Sequence, residues 1–321
     1  MKAIVTGASS GLGRDMALYL AELGYNLALA ARNQARLDNV AQEAQRIASA
    51  HGKTITVETV ALDLAQRSAC EQLFARYRDE RIDLLVNNAG FGLFGDFTDT
   101  PLDRELEMIN LNVVSYHVLT KLFVRKFRRD GRCRLLNVCS AAGFLVGPRL
   151  ATYYATKNYT LKLTLAVAQE LRRERVPVTV SALCPGPVDT HFNATAGGEF
   201  LTPGASSRAV ARYAIDKTLA GKLIIVPTWQ VKAGLFAARF LPWSAQLRLM
   251  DRYDCGRQSA RVSESGHPKR VFVRIRSHNG TPKTQISLFP TRHGPLCEDW
   301  LTKWTARHLK STSLTIPGAS V

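Results

Sequence analysis

The run Lys2-Ala3-Ile4-Val5-Thr6-Gly7-Ala8-Ser9-Ser10-Gly11-Leu12-Gly13 decides how this chain begins to fold. Its first five residues are mostly apolar or β-branched and read as a strand. Three glycines punctuate the next seven positions, and Leu12–Leu23 then takes up a helical pattern. A strand that turns tightly into a helix leaves the unpaired N–H groups and partial positive charge of the helix start facing the turn. Glycines there let the backbone come close to a pyrophosphate.

The same alternation continues for two thirds of the chain. Further strands are expected at Asn26–Ala31, Thr54–Ala61, Ile82–Asn87, Arg134–Val138, Val178–Leu183 and Lys222–Val226. Helical stretches such as Ala35–Ala50 and Tyr154–Arg173 lie between them. Several strands are almost continuously apolar, as they must be when helices cover both faces of a parallel sheet. The expected fold is therefore α/β, a doubly wound, Rossmann-type parallel sheet of about seven strands over residues 1–255. Residues 185–207, rich in Gly, Pro, Thr and Ala, follow the sixth strand and read as a substrate loop at the carboxyl edge of the sheet. Residues 231–250 form an apolar and basic closing segment that Pro242 should split into two short helices. From Gly256 on, periodicity fades and residues 256–321 read as a basic, weakly ordered tail in which only Val271–Ile275 resembles a strand.

Composition narrows the function. Of 321 residues 46% are hydrophobic, enough for a large core, and no stretch reaches the roughly 20 apolar residues that span a bilayer. Lys2–Thr6 reads as a strand and not a leader, so the expected compartment is the cytoplasm. The six cysteines are scattered without a C-x-x-C pair, which fits buried thiols better than disulfides or zinc, and no metal site is expected. The formal charge is +17, and the tail holds 11 of the 43 basic residues against 3 of the 26 acidic ones. About half the surplus therefore sits outside the expected domain. The basic residues lack interleaved aromatics or a nucleic-acid module, so no nucleic acid is expected as a partner.

Tyr153-Tyr154-Ala155-Thr156-Lys157 opens a long helix with the spacing Y-x-x-x-K. Residues four apart share a helical face, so the Tyr153 phenol and Lys157 ammonium can meet in one site. A free tyrosine titrates near about 10, and a neighbouring cation is expected to lower that value toward neutrality. The second strand ends Leu29-Ala30-Ala31-Arg32-Asn33, without the Asp or Glu that would hold a ribose 2′-hydroxyl. Arg32 instead offers a fork suited to a 2′-phosphate, so NADP(H) is expected over NAD(H).

The glycine spacing is G-x-x-x-G-x-G, and Asn87-Asn88-Ala89-Gly90 closes the fourth strand. In these motifs the chain resembles the short-chain dehydrogenase/reductase family, and the resemblance extends over roughly Lys2 to Pro227. It implies cofactor contacts from Gly7, Ser9, Ser10, Gly11, Leu12 and Gly13. It places Asn88, Ala89 and Gly90 on the adenine ribose side and Asp63 beside the adenine. Pro185-Gly186-Pro187-Val188-Asp189-Thr190 is similar to the family's P-G-x-V-x-T, which implies that Pro185, Gly186, Val188 and Thr190 meet the nicotinamide carboxamide. Ser140 lies thirteen residues before Tyr153, the family's spacing between its catalytic Ser and Tyr. The resemblance implies that Ser140 holds the substrate oxygen, that Tyr153 exchanges its proton and that Lys157 also binds the nicotinamide ribose. It implies further that Asn112 holds a water beside the lysine.

The expected partner is thus a small carbonyl or secondary alcohol that exchanges a hydride with NADP(H). Phe91, Phe94, Phe144, Leu145, Phe192 and Phe200 fall near the expected pocket mouth and favour an apolar ketone or aldehyde. A homo-oligomer is usual for the resembled family. A second reading, from another class, is a non-catalytic scaffold whose basic C-terminal region binds an anionic membrane surface or a partner. Lys232, Arg239 and Arg248 in the closing segment motivate it. The sequence favours instead a helix pair that closes the pocket or makes a dimer contact.

Overall fold

Ala3, Ile4, Val5 and the stretch Leu27 to Ala30 have no solvent exposure, and neither do Leu84, Leu85 and Val86. Continuous burial of this kind needs cover on both faces, and helices supply it. The computed structural model describes residues 1–190, 196, 204–254, 271–276 and 282–288. The chain divides into two units, Met1–Gln258 and Ser259–Val321.

In the first unit, strands β1 (Lys2–Thr6), β2 (Asn26–Ala31), β3 (Val57–Ala61), β4 (Leu84–Asn87), β5 (Arg134–Val138), β6 (Thr179–Leu183) and β9 (Ile224–Ile225) form one sheet. Their order is β3-β2-β1-β4-β5-β6-β9, and all pairs are parallel. Helices α1 (Gly11–Glu22) and α2 (Gln34–Ala50), with α7 (Ser207–Leu219), cover one face through Met16, Leu20, Leu37, Ala44 and Ile215. Helices α3 (Arg67–Tyr77), α5 (Tyr116–Asp130) and α6 (Ala151–Arg173) cover the other through Leu73, Tyr77, Phe123, Phe127 and Leu171. Strand order reverses between β1 and β4. A crevice opens there at the carboxyl ends of the strands, the place where such sheets bind ligands.

Four expected strands are shorter than their apolar runs, the sixth by Val178 alone. At Ile82 the run begins two residues before the strand, and there the Asp83 side chain accepts from Lys2 N at 2.8 Å. At Thr54 the chain is held by Thr56 N donating to the Asn26 side chain at 2.9 Å. The run from Lys222 contributes only Ile224–Ile225 to the sheet. Helix α4 (Leu102–Ile109) passes into α5 through a π-helical turn, Asn110–Ser115, that the apolar pattern did not reveal. Such turns carry an extra residue and concentrate at functional sites.

Within the expected substrate loop, β7 (Val188–Asp189) pairs in parallel with β8 (Ala205–Ser206). His191, Phe192 and Phe200 lie outside the described residues. The closing segment forms α8 (Trp229–Ala238) and α9 (Trp243–Asp254), with Pro242 between them. In the second unit, β10 (Val271–Arg276) and β11 (Pro282–Leu288) pair antiparallel, with Val271 opposite Leu288. The rest of the tail, on which the expectation of weak order falls, is outside the described residues.

Candidate active site

The turn after β1 is built so that only glycine fits at its two critical positions. Gly7 has φ +64°, and a Cβ there would come within 2.8 Å of the Asn88 amide nitrogen and 2.9 Å of Ala89 Cα. A Cβ on Gly13 would stand 2.3 Å from the Gly7 carbonyl oxygen. Asn88 braces this turn from β4: its Nδ2 donates to Thr6 O at 2.9 Å, and its backbone N donates to Thr6 Oγ1 at 2.8 Å. Helix α1 begins behind the turn with no acidic side chain in its first turn. Its positive end therefore faces the crevice without a compensating charge.

That crevice is a cavity of about 1370 Å³. Gly7, Ser9, Ser10, Gly11, Leu12, Gly13, Arg32, Asp63, Asn88, Ala89 and Gly90 line one part of it. Ser140, Tyr153, Lys157, Pro185, Gly186, Val188 and Thr190 line another. Residues from six strand ends thus converge on one space. Arg32 follows β2 directly and pairs with Glu107 Oε1 at 3.1 Å, while Glu107 also pairs with Arg104. Arg36 lines the same region, one turn into α2, whose N-terminus is capped by the Asn33 side chain accepting from Arg36 N at 2.9 Å. The sequence reading missed Arg36, although its place four residues after Arg32 was a usable signal.

The reactive end is assembled from β5 and α6. Ser140 caps a short 3₁₀ turn, Ala141–Phe144, with its Oγ accepting from Ala142 N at 3.1 Å. Ser140 and Tyr153 line the same cavity. Tyr153 sits in the first turn of α6, and Lys157 follows one turn on, with Nζ 5.8 Å from the Tyr153 ring centroid. Lys157 Nζ donates to Val138 O at 3.0 Å. Asn112 lies in the π-helical turn, fully buried behind the cavity wall. Its Nδ2 donates to Phe91 O at 2.8 Å and its Oδ1 accepts from Phe91 N at 3.2 Å, so it clamps the chain leaving β4. A Cβ on Gly90 would meet Asn112 Oδ1 at 2.7 Å and Lys157 Nζ at 3.6 Å, so both groups face one spot.

The electrostatics correct one expectation. Tyr153 is expected to be acidified by the ammonium; burial instead pushes its phenol up to about 12, with the Ser140 hydroxyl opposing the rise. Burial also pushes Lys157 down to about 8. The reason is burial: both groups are removed from water, which disfavours the charged form of each. At neutral pH the phenol holds its proton and can donate it to a more basic oxygen.

Of the aromatic and aliphatic residues expected at the pocket mouth, Phe91 and Leu145 line the cavity. Phe94 and Phe144 are not in its wall; both are half-buried and pack against buried clusters. Helices α8 and α9 bring Leu235, Leu241, Leu249 and Met250 into the wall instead. Another residue absent from the sequence reading is Asn158. Its Nδ2 donates to Ala142 O at 3.0 Å, Leu145 O at 2.9 Å and Tyr154 O at 3.0 Å, tying the Ser140 turn to α6.

Residues 1–199 match the profile of the family described as short chain dehydrogenase. A very-long-chain 3-oxoacyl-CoA reductase of Phaeosphaeria nodorum is 31% identical over 207 residues, covering 63% of this chain and 58% of that protein. The chain spans little more than half the length of the curated reductases of this name that it matches. An uncharacterized oxidoreductase of Staphylococcus aureus is 31% identical over 195 residues, covering 60% of this chain and 80% of that one. Among solved structures, a short-chain dehydrogenase from Sphingobium yanoikuyae in complex with NADPH superposes with a TM-score of 0.66 at 25% identity, covering 84% of this chain and 98% of that one.

Proposed function

The chain belongs to the short-chain dehydrogenase family, and we propose that it is an oxidoreductase passing a hydride between NADP(H) and an apolar ketone or aldehyde, with Tyr153 as its acid. One observation carries this reading: Ser140, Tyr153 and Lys157 stand in the wall of the same cavity that the glycine turn and the start of α1 enter. The residues present suit a dinucleotide. The uncompensated positive end of α1 suits a pyrophosphate, and Arg32 and Arg36 in the wall suit a 2′-phosphate. The NADPH complex of the Sphingobium yanoikuyae enzyme supports the same choice.

Ser9, Ser10 and the N–H groups of α1 would hold the pyrophosphate. Val188 and Thr190 would orient the carboxamide. When bound, the reduced cofactor supplies the hydride. Ser140 would donate a hydrogen bond to the carbonyl oxygen, stabilising the charge that grows there. Tyr153 would pass its phenolic proton to that oxygen, completing the alcohol. Lys157 would stabilise the phenolate left behind, and a water between Asn112 and Lys157 would return the proton. Phe91, Leu145, Leu235 and Met250 surround this point with apolar surface, which favours an apolar carbonyl substituent. The match to 3-oxoacyl-CoA reductases points the same way.

The test is a panel of ketones and aldehydes followed through NADPH absorbance. Tyr153→Phe should lower kcat by about 10²- to 10⁴-fold, the usual contribution of a general acid, and leave NADPH affinity nearly unchanged. Turnover retained in that variant would remove the assignment.

A further inference from the structure

Helix α8 is apolar on every side, yet none of its residues is buried. Of its ten residues only Gln230 and Lys232 are polar. A helix that is hydrophobic all round is normally found covered. On its inner side Val231 and Leu235 rest on a buried cluster, and Gly234 and Ala238 face the cavity. The outer side is different. Trp229 is 73% exposed and Phe236 64%, and beyond the helix end Phe240 is 74% and Trp243 66% exposed. Phe236 and Phe240 stand edge to face, their centroids 5.3 Å apart.

We propose that α8 and α9 are a docking surface for an anionic lipid bilayer, through which the substrate cavity opens toward lipid. Charge points to this occupant. From Trp229 to Asp254 the charged residues are Lys232, Arg239, Arg248 and Arg252 against Asp251 and Asp254, and both acidic residues lie at the far end of α9, after Met250. A second copy on this face would set those cations against their own equivalents. The tail is a poor cover for the same reason, since from Gly256 it carries 11 basic and 3 acidic residues. Anionic headgroups answer the cations, while tryptophan and phenylalanine suit the boundary between headgroups and acyl chains. Among the described residues no helix is long and apolar enough to cross a membrane, so the contact lies on the surface. Leu241 and Leu249 belong to both regions: each lines the cavity and each is exposed beside the aromatic face. A carbonyl dissolved in lipid would reach the cavity without crossing water. That last step rests on the reductase reading above; the docking does not.

The experiment is co-sedimentation of the full chain with vesicles of phosphatidylcholine alone or mixed with phosphatidylserine. The protein should sediment with the mixed vesicles and much less with neutral ones. The triple variant Phe236→Ser, Phe240→Ser, Trp243→Ser keeps every charge and should bind mixed vesicles at least tenfold less. Its turnover of a water-soluble carbonyl should be unchanged, because none of the three residues lines the cavity. Phe240→Ser alone, at an exposed position between the helices, should weaken binding at least threefold and guards against misfolding of the triple variant. The proposal falls if the unaltered protein ignores phosphatidylserine vesicles, or if the triple variant binds them as well as the parent. It falls too if, without lipid, the substitutions convert a dimer into monomers. Vesicle binding without turnover would keep the surface and remove the reductase reading; turnover without vesicle binding would do the reverse.

Discussion

Lys157 and Tyr116 share one acceptor: the ammonium and the buried phenol both donate to the Val138 carbonyl, each at 3.0 Å. Val138 ends β5, two residues before Ser140, so this carbonyl anchors the lysine at the same strand end that presents the serine. The anchor holds the ammonium buried in the cavity wall, 5.1 Å from the Tyr116 ring centroid, where cation–π attraction offsets part of the desolvation.

The lowered lysine sets a pH limit. With Lys157 near about 8, its charge is present below that value and lost above it. The ratio kcat/KM for NADPH, which reports the free enzyme, should therefore fall as pH rises through about 8. Lys157→Arg stays charged throughout and should move this limb to higher pH, whatever its absolute rate. A profile for the parent that is flat to well above that range would show that the ammonium is not required.

The same shift is a statement about stability. Lys157 ionises near 10.5 when unperturbed and near about 8 in the fold, so below about 8 the folded state carries the full cost of a buried charge. The cost shrinks as pH climbs between those two values, because the fold loses the proton before the unfolded chain does. Lys157→Met should stabilise the protein at neutral pH by up to about 3 kcal/mol, at roughly 1.4 kcal/mol per unit, while abolishing turnover. Urea titration at two pH values checks it: the gain should fade at alkaline pH, and a variant weaker than the parent at neutrality would contradict it.

Glu107 partly neutralises Arg32, which it meets at 3.1 Å. The pair is exposed, so removing it shifts energies by no more than about 1 kcal/mol. Glu107→Gln should lower KM for NADPH by up to about fivefold and leave NADH unaffected. Arg32→Ala should raise KM for NADPH by about tenfold or more, since a charge-assisted bond to phosphate is lost. Equal effects on both cofactors would show that Arg32 does not read the 2′-phosphate.

Asn158 touches no reactive group, yet it ties three carbonyls to α6. Asn158→Ala would leave Ala142 O and Leu145 O without this donor and loosen the turn that begins at Ser140. The expected result is a drop in kcat of about tenfold with the NADPH dissociation constant unchanged, about 1.4 kcal/mol of lost positioning. A fall in cofactor affinity of the same size would point to general disruption.

Local chemistry was enough to read the strands, the glycine turn and the helical pairing of Tyr153 with Lys157, because each depends on neighbours within a few residues. β1, β2 and β5 match their apolar runs to the residue, and the glycines stand where a Cβ would strike Asn88 or the Gly7 carbonyl. Nothing local could show that Asn112 sits in a π-helical turn clamping Phe91, or that Asn158 tethers the Ser140 turn. Those contacts join segments far apart in the chain. The packing of Phe144 against a buried cluster and the outward aromatic face of α8 were equally hidden, since composition says how apolar a segment is and not which side is covered. Most telling is the phenol. Spacing placed an ammonium beside Tyr153, but the sign of its shift was decided by burial. Charge and proximity can be read along a chain; the water that a fold excludes from them cannot.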